Sequence, residues 1–155
     1  MKIKYLLITF CLFAFQLSGC QNKSSKYNLK TINFFEEFYS EYVYGTSLSE
    51  QGNGLKVYEN YLSILNKYCT SSLVERILES EIDYDPFINA QDVSAVILDY
   101  LKVTPVEGER DSFEVSFRYP VQKESERTRI KLKVVCTKDG VKIDGVGKIQ
   151  GNYRH

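Results

Sequence analysis

The chain has no tryptophan and a single histidine, and that histidine is the last residue, His155. His-based triads and multi-histidine metal sites therefore lack their essential part. An excess of one charge is missing too: 20 lysines and arginines stand against 20 aspartates and glutamates. Composition thus gives no electrostatic case for nucleic acid as a partner. There is no glycine-rich phosphate loop, since Gly52-Asn53-Gly54 is short and is not followed by Lys-Ser/Thr. Gly145-Val146-Gly147 sits at the end of a predicted strand, where it relaxes the exit. No Ser-x-x-Lys opens a helix in an apolar setting. The longest apolar run, Tyr5 to Phe15, falls short of the ~20 residues that an ordinary helix needs to span a bilayer.

What is present divides by period. From Asn28 to Tyr44, Ile32, Phe35 and Tyr39 recur at helical spacing beside a second row of Phe34, Phe38 and Tyr42. This predicts a helix with a broad aromatic stripe, and Gly45 is its expected stop. Thr46 to Gly54 reads as a loop. Leu55, Tyr58, Leu62 and Leu65 predict a second helix that ends near Tyr68. Thr70 is placed to cap a third, with Leu73, Val74, Ile77 and Leu78 inward. Pro86 closes the helical half, because proline disfavours helix at the residue before it.

The second half alternates. Phe113, Val115, Phe117 and Tyr119 interleave with polar residues, and Ile130, Leu132, Val134 and Cys136 with Lys131, Lys133 and Val135, so both runs predict half-buried strands. Lys138-Asp139-Gly140 is a hairpin turn, since Asp-Gly accepts the positive dihedrals it requires. Val141 and Ile143 continue beyond it, with Lys142 and Asp144 expected outward. Arg127, Arg129, Lys131 and Lys133 share one face of a strand and read as solvated. The run from Val93 to Val106 can open as a short helix or an irregular approach. Helices first and an antiparallel meander after make an α+β domain: N-terminal helices packed on a curved sheet of about four strands, with a concave pocket between the layers.

The densest polar cluster is Asp83-Tyr84-Asp85-Pro86-Phe87-Ile88-Asn89-Ala90-Gln91-Asp92. Phe87 and Ile88 stand where a calcium loop needs a ligand and a glycine, so an EF-hand is excluded, and no metal site is expected. The plainer reading has Asp83 and Asp85 in turn hydrogen bonds with Phe87 and Ile88 plugging the core. The sharper one makes the loop the rim of a cleft, with Tyr84, Asp85, Asn89, Gln91 and Asp92 as binding residues and Tyr39 and Tyr42 as walls. Tyrosines suit such a rim, because one end of the ring stays wet.

Location is written at the front. Lys2 and Lys4, the apolar run and then Leu17-Ser18-Gly19-Cys20 form a secretory signal that resembles the bacterial lipobox. The resemblance implies that residues 1–19 are removed and that Cys20 carries lipid. Residues 20–27 are polar and read as a flexible tether, leaving 28–155 as one domain. Without Lys2 and Lys4, 18 basic residues face 20 acidic ones, a formal charge of −2. Gln21 in place of Asp, by likeness to Gram-negative sorting rules, implies the outer membrane. No acidic residue follows to signal export to the outer surface, so the expected face is periplasmic. Cys11 leaves with the signal. Cys69 and Cys136 remain in a compartment that permits disulfides, either bridged or as two small buried apolar residues.

Lys67-Tyr68-Cys69-Thr70, Leu73, the run Asp83 to Asp92 and Leu101-Lys102-Val103 together resemble a bacterial lipoprotein family of unknown function. Asp85-Pro86-Phe87 and Ala90-Gln91-Asp92 are the most specific parts, and the likeness runs from about Phe34 to Ile143. It implies an NTF2-like or cystatin-like α+β domain and brings no activity, cofactor or catalytic residue. The expected function is a non-catalytic, lipid-anchored module that recognises an envelope protein, a peptide or a small ligand. A second reading is an immunity or inhibitor protein against a periplasmic toxin or lytic enzyme. A third is a hydrolase using Asp83, Asp85 and Asp92.

Overall fold

The computed structural model describes residues 23–47, 54–90 and 94–150. The chain divides into a leading unit, Met1–Lys30, and a body, Thr31–His155. Three helices come first: α1 (Lys23–Ser47), α2 (Gly54–Tyr68) and α3 (Ser71–Glu79). A 3-10 segment, Ala95–Tyr100, leads into β1 (Lys102–Pro105) and β2 (Ser112–Phe117). A second 3-10 turn, Glu124–Glu126, precedes β3 (Thr128–Thr137), β4 (Gly140–Val146) and β5 (Ile149–Gln150).

The strands lie in chain order and every neighbouring pair is antiparallel, so the sheet is a meander. This is the helices-then-meander α+β architecture of NTF2-like and cystatin-like folds. The fifth strand is only two residues long and adds to the four that alternation foretold. Gly140 closes the β3–β4 hairpin at φ 116°, a backbone region open to glycine.

The α1 stripe meets the sheet through rings. Phe35 packs on Phe113 at 5.3 Å between centroids, and Tyr39 on Phe117 at 6.5 Å. The centroid separations and tilted planes are those of favourable aromatic pairs. Leu65, Leu73, Leu132 and Ile143 lie in the same buried core.

Several details depart from the periodic reading. Helix α1 starts at Lys23, inside the span read as a flexible tether. No glycine or proline interrupts 23–44, and extending an existing helix costs far less than nucleating one. At its other end α1 runs past Gly45 to Ser47. Gly45 is not a stop but a contact point: a Cβ there would lie 2.5 Å from Ile64 Cδ1 of α2. The last turn closes through hydroxyls, with Thr46 Oγ1 donating to the Tyr42 carbonyl at 2.7 Å. On α2, Leu55 and Tyr58 are exposed, and Ile64, Leu65 and Tyr68 form the buried face. Leu78, expected inward on α3, is exposed too. Short amphipathic helices bury a stripe narrower than the full set of apolar positions.

Asp144 overturns the alternation outright. It was expected outward and is 2% exposed. Lys133 pairs with Gly145 and Val134 with Ile143, which leaves Asp144 as an extra residue in β4. Such a bulge bends its strand and re-aims the side chain. Cys69 makes a one-residue parallel bridge to Ile143, and the Thr70 N–H donates to the Ile143 carbonyl at 2.9 Å. The α2–α3 junction thereby satisfies part of the edge of β4.

Candidate functional site

The aspartate-rich loop is built around one carboxylate. Asp85 Oδ1 accepts from the N–H groups of Phe87 at 2.8 Å and Ile88 at 3.1 Å. Its Oδ2 accepts from the Tyr42 hydroxyl at 2.6 Å. The backbone closes over the same residue: Asp85 N–H donates to Ala90 O at 3.1 Å, and Asn89 N–H to Asp85 O at 2.7 Å. Asn89 takes φ 55°, the left-handed conformation that asparagine tolerates better than most residues. Pro86 enters the turn without needing a donor partner. Phe87 and Ile88 are then thrust inward, where Phe87 contacts Phe38 at 5.0 Å and Tyr42 at 5.3 Å.

Tyr39 secures the loop from below, its hydroxyl donating to Phe87 O at 3.0 Å. Both Tyr39 and Tyr42 are fully buried, so they are pillars under the loop and not walls of an open cleft. Burial raises both phenols well above the ordinary value, and the Asp85 charge raises them further. Each remains a neutral donor. Burial also raises Asp85, against the lowering effect of its three hydrogen bonds. A run of rings leads outward from this point. Tyr42 meets Tyr61 at 6.0 Å, and Tyr61 stacks on Tyr58 at 6.5 Å. Half-buried Tyr61 is pushed up to about 12, first by burial and then by Asp85.

The residues expected to form one binding rim are therefore divided. Tyr39, Tyr42 and Asp85 are spent on internal bonds. Tyr84 and Asn89 stay exposed at the surface of the loop. Gln91 and Asp92 lie outside the described residues, as does Cys20. Asp83 is exposed. Cys69 is buried and Cys136 exposed, so the two are not a pair of buried apolar residues. Alternation put Cys136 on an inward position, but it lies at the solvent-exposed end of β3. Burial pushes the Cys69 thiol up to about 12, which makes it unreactive.

Two polar clusters escaped the sequence reading. Thr70 Oγ1 accepts from the Leu73 N–H at 3.3 Å as the cap of α3. The same hydroxyl donates to Asp144 Oδ1 at 2.8 Å, placing a buried carboxylate at a helix N-terminus. The second gathers Lys102, Arg118 and Arg127 about Glu124 at 3.2, 3.4 and 2.7 Å. Arg127 is buried, unlike Arg129, Lys131 and Lys133 of the basic row, and it also donates to the carbonyls of Tyr100 and Ser116. Arg118 lies 4.3 Å from the centroid of the Tyr100 ring. Hydrogen bonds from Arg127 and then Lys102 hold Glu124 down at about 2. Glu124-x-x-Arg127 is the only local trace of this cluster, because its other members come from distant segments.

Among the described residues no group of three or more His, Cys, Asp or Glu side chains is placed to hold a metal. No described helix is long and apolar enough to cross a membrane. Exposed large side chains include Tyr44 at 58% on α1, Leu55 at 70% and Tyr58 at 51% on α2, and Tyr84 at 45% on the loop, besides Leu78 on α3 and Val121 between β2 and β3.

No family model and no curated protein matches the chain. A solved structure of a protein of unknown function from Bacteroides thetaiotaomicron VPI-5482 is similar, at 25% sequence identity and a TM-score of 0.65. The match covers 79% of this chain and 92% of that one. The likeness is one of fold.

Proposed function

We propose that this chain is a lipid-anchored, non-catalytic binding module of the bacterial envelope, held at the outer membrane and facing the periplasm. It recognises an envelope protein, peptide or small ligand with its outer aromatic surface, and the space between helices and sheet takes no part. The signal-like run of residues 1–19 and its resemblance to a lipobox at Leu17-Ser18-Gly19-Cys20 support the address.

The observation that carries the reading is the full use of Asp85. Both of its oxygens are bound by groups of the same chain, so this carboxylate serves the loop. A general acid or base must be able to reach a substrate proton. By contrast, Tyr44, Tyr58 and Tyr84 leave large rings with polar tips in solvent, the side-chain type enriched in protein interfaces.

A photo-crosslinking amino acid placed at Tyr58 or Tyr84 in living cells tests this reading. A discrete adduct is expected at those positions and none at Lys138, on the exposed hairpin turn. No adduct anywhere, or the same adducts from all three positions, contradicts it.

A further inference from the structure

The leading unit carries charge of a single sign. The first acidic residue of the chain is Glu36, so between Cys20 and Phe35 the only ionisable side chains beyond Cys20 and Tyr27 are Lys23, Lys26 and Lys30. Helix α1 starts at Lys23 and has no acidic residue in its first turn. At 100° per residue, positions 23, 26 and 30 fall within an arc of about 60° on one helix face. Lys30 is exposed, and so is its neighbour Leu29, at 63%. A row of basic positions on one helix face, next to the proposed lipid anchor, has the charge that an anionic lipid surface attracts.

From these observations, and resting on the anchored reading above, we infer that the first two turns of α1 lie along an anionic phospholipid surface and bind its phosphates through Lys23, Lys26 and Lys30. Cys20 fixes the geometry. Only two residues, Gln21 and Asn22, separate the anchor from Lys23, and the helical rise from Lys23 to Lys30 is roughly 10 Å. Electrostatic attraction fades over about 8 Å at physiological ionic strength. A helix standing upright would leave Lys30 beyond that range, whereas one lying flat brings all three lysines within it. The acyl chains hold the segment at the surface, so docking carries no separate cost of association. Each lysine favours the flat state by roughly fivefold, and three give on the order of a hundredfold.

The test uses the mature acylated protein reconstituted into phosphatidylcholine vesicles with and without phosphatidylglycerol. Amide hydrogen exchange is followed by mass spectrometry in the segment 21–30. Phosphatidylglycerol should slow exchange there by at least about tenfold. High salt, or the combined Lys23→Gln, Lys26→Gln and Lys30→Gln substitutions, should remove the difference while exchange in β2 and β3 stays unchanged. Equal exchange on the two vesicle types, with the acyl mass present, overturns the docking and leaves the anchor standing. A purified chain without acyl mass overturns both.

Discussion

Three donors meet the carboxylate of Asp85, and their arrangement decides what each substitution there does. Asp85→Ala strands the buried Tyr42 hydroxyl and the N–H groups of Phe87 and Ile88. The expected loss is about 2–4 kcal/mol, read from the urea midpoint. Asp85→Asn keeps an acceptor for the two amides and should lose less. Its pH dependence carries a sign. Burial raises the folded pKa above the ordinary 3.8, so the folded chain holds this proton more tightly than the unfolded one. The stability contributed is complete below 3.8 and is lost as pH climbs through the raised value. Asp85→Asn removes that contribution, so the difference in urea midpoint should shift toward the variant across the same interval. A constant difference contradicts the assignment. The turn chemistry of Asp85-Pro86-Phe87 was legible in the sequence, because an aspartate before proline and the apolar pair Phe87-Ile88 make a local pattern. Its partners were not. Tyr42 lies 43 residues away, and no local spacing records such a contact.

Between elements, two contacts fix how the helices seat. Gly45 leaves room for Ile64 where α1 and α2 cross, so Gly45→Ala sets helix propensity against overlap. Alanine favours the helix by about 1 kcal/mol, and forcing a buried isoleucine from its place costs about 1–3 kcal/mol. A net loss near 1 kcal/mol is expected from these opposed effects. In an Ile64→Val background, which removes the overlapping Cδ1, the same change should become neutral or stabilising. Equal effects in both backgrounds would refute the contact. The other joint is Thr70, which caps α3 and binds Asp144 of β4 with one hydroxyl. Thr70→Ala should cost about 2–3 kcal/mol, since the cap and the donor to a buried carboxylate go together. Thr70→Ser, keeping the hydroxyl, should recover most of it. The cap at Thr70 was visible in the sequence, as were the three helices and the strands around Phe113 and Ile130, because 3.6- and 2-residue periods are local properties. Gly45 and Asp144 were misread for one shared reason. A glycine near a helix end and a polar residue in an alternating strand both look ordinary until a neighbouring element is in place.

For the whole molecule, the α+β order followed from where the period changes, and helices followed by a meander is what forms. The site did not follow. Composition showed acids and rings gathered at the junction of the two halves, but whether they face solvent or each other depends on packing that brings α1, α2 and the loop together. That packing turns the expected cleft inward and leaves Tyr44, Tyr58 and Tyr84 outside, where the proposed recognition surface lies. The proposed function depends on the proposed address, since a recognition surface acts only where its partner is. Intact-mass and peptide mass spectrometry of the protein purified from membranes tests this most directly. The account predicts a mature chain that begins at Cys20 and carries a diacylglyceryl group on the sulfur, with Cys20→Ser leaving the precursor uncleaved. A mature chain that begins at another residue, or an unmodified Cys20, would contradict it.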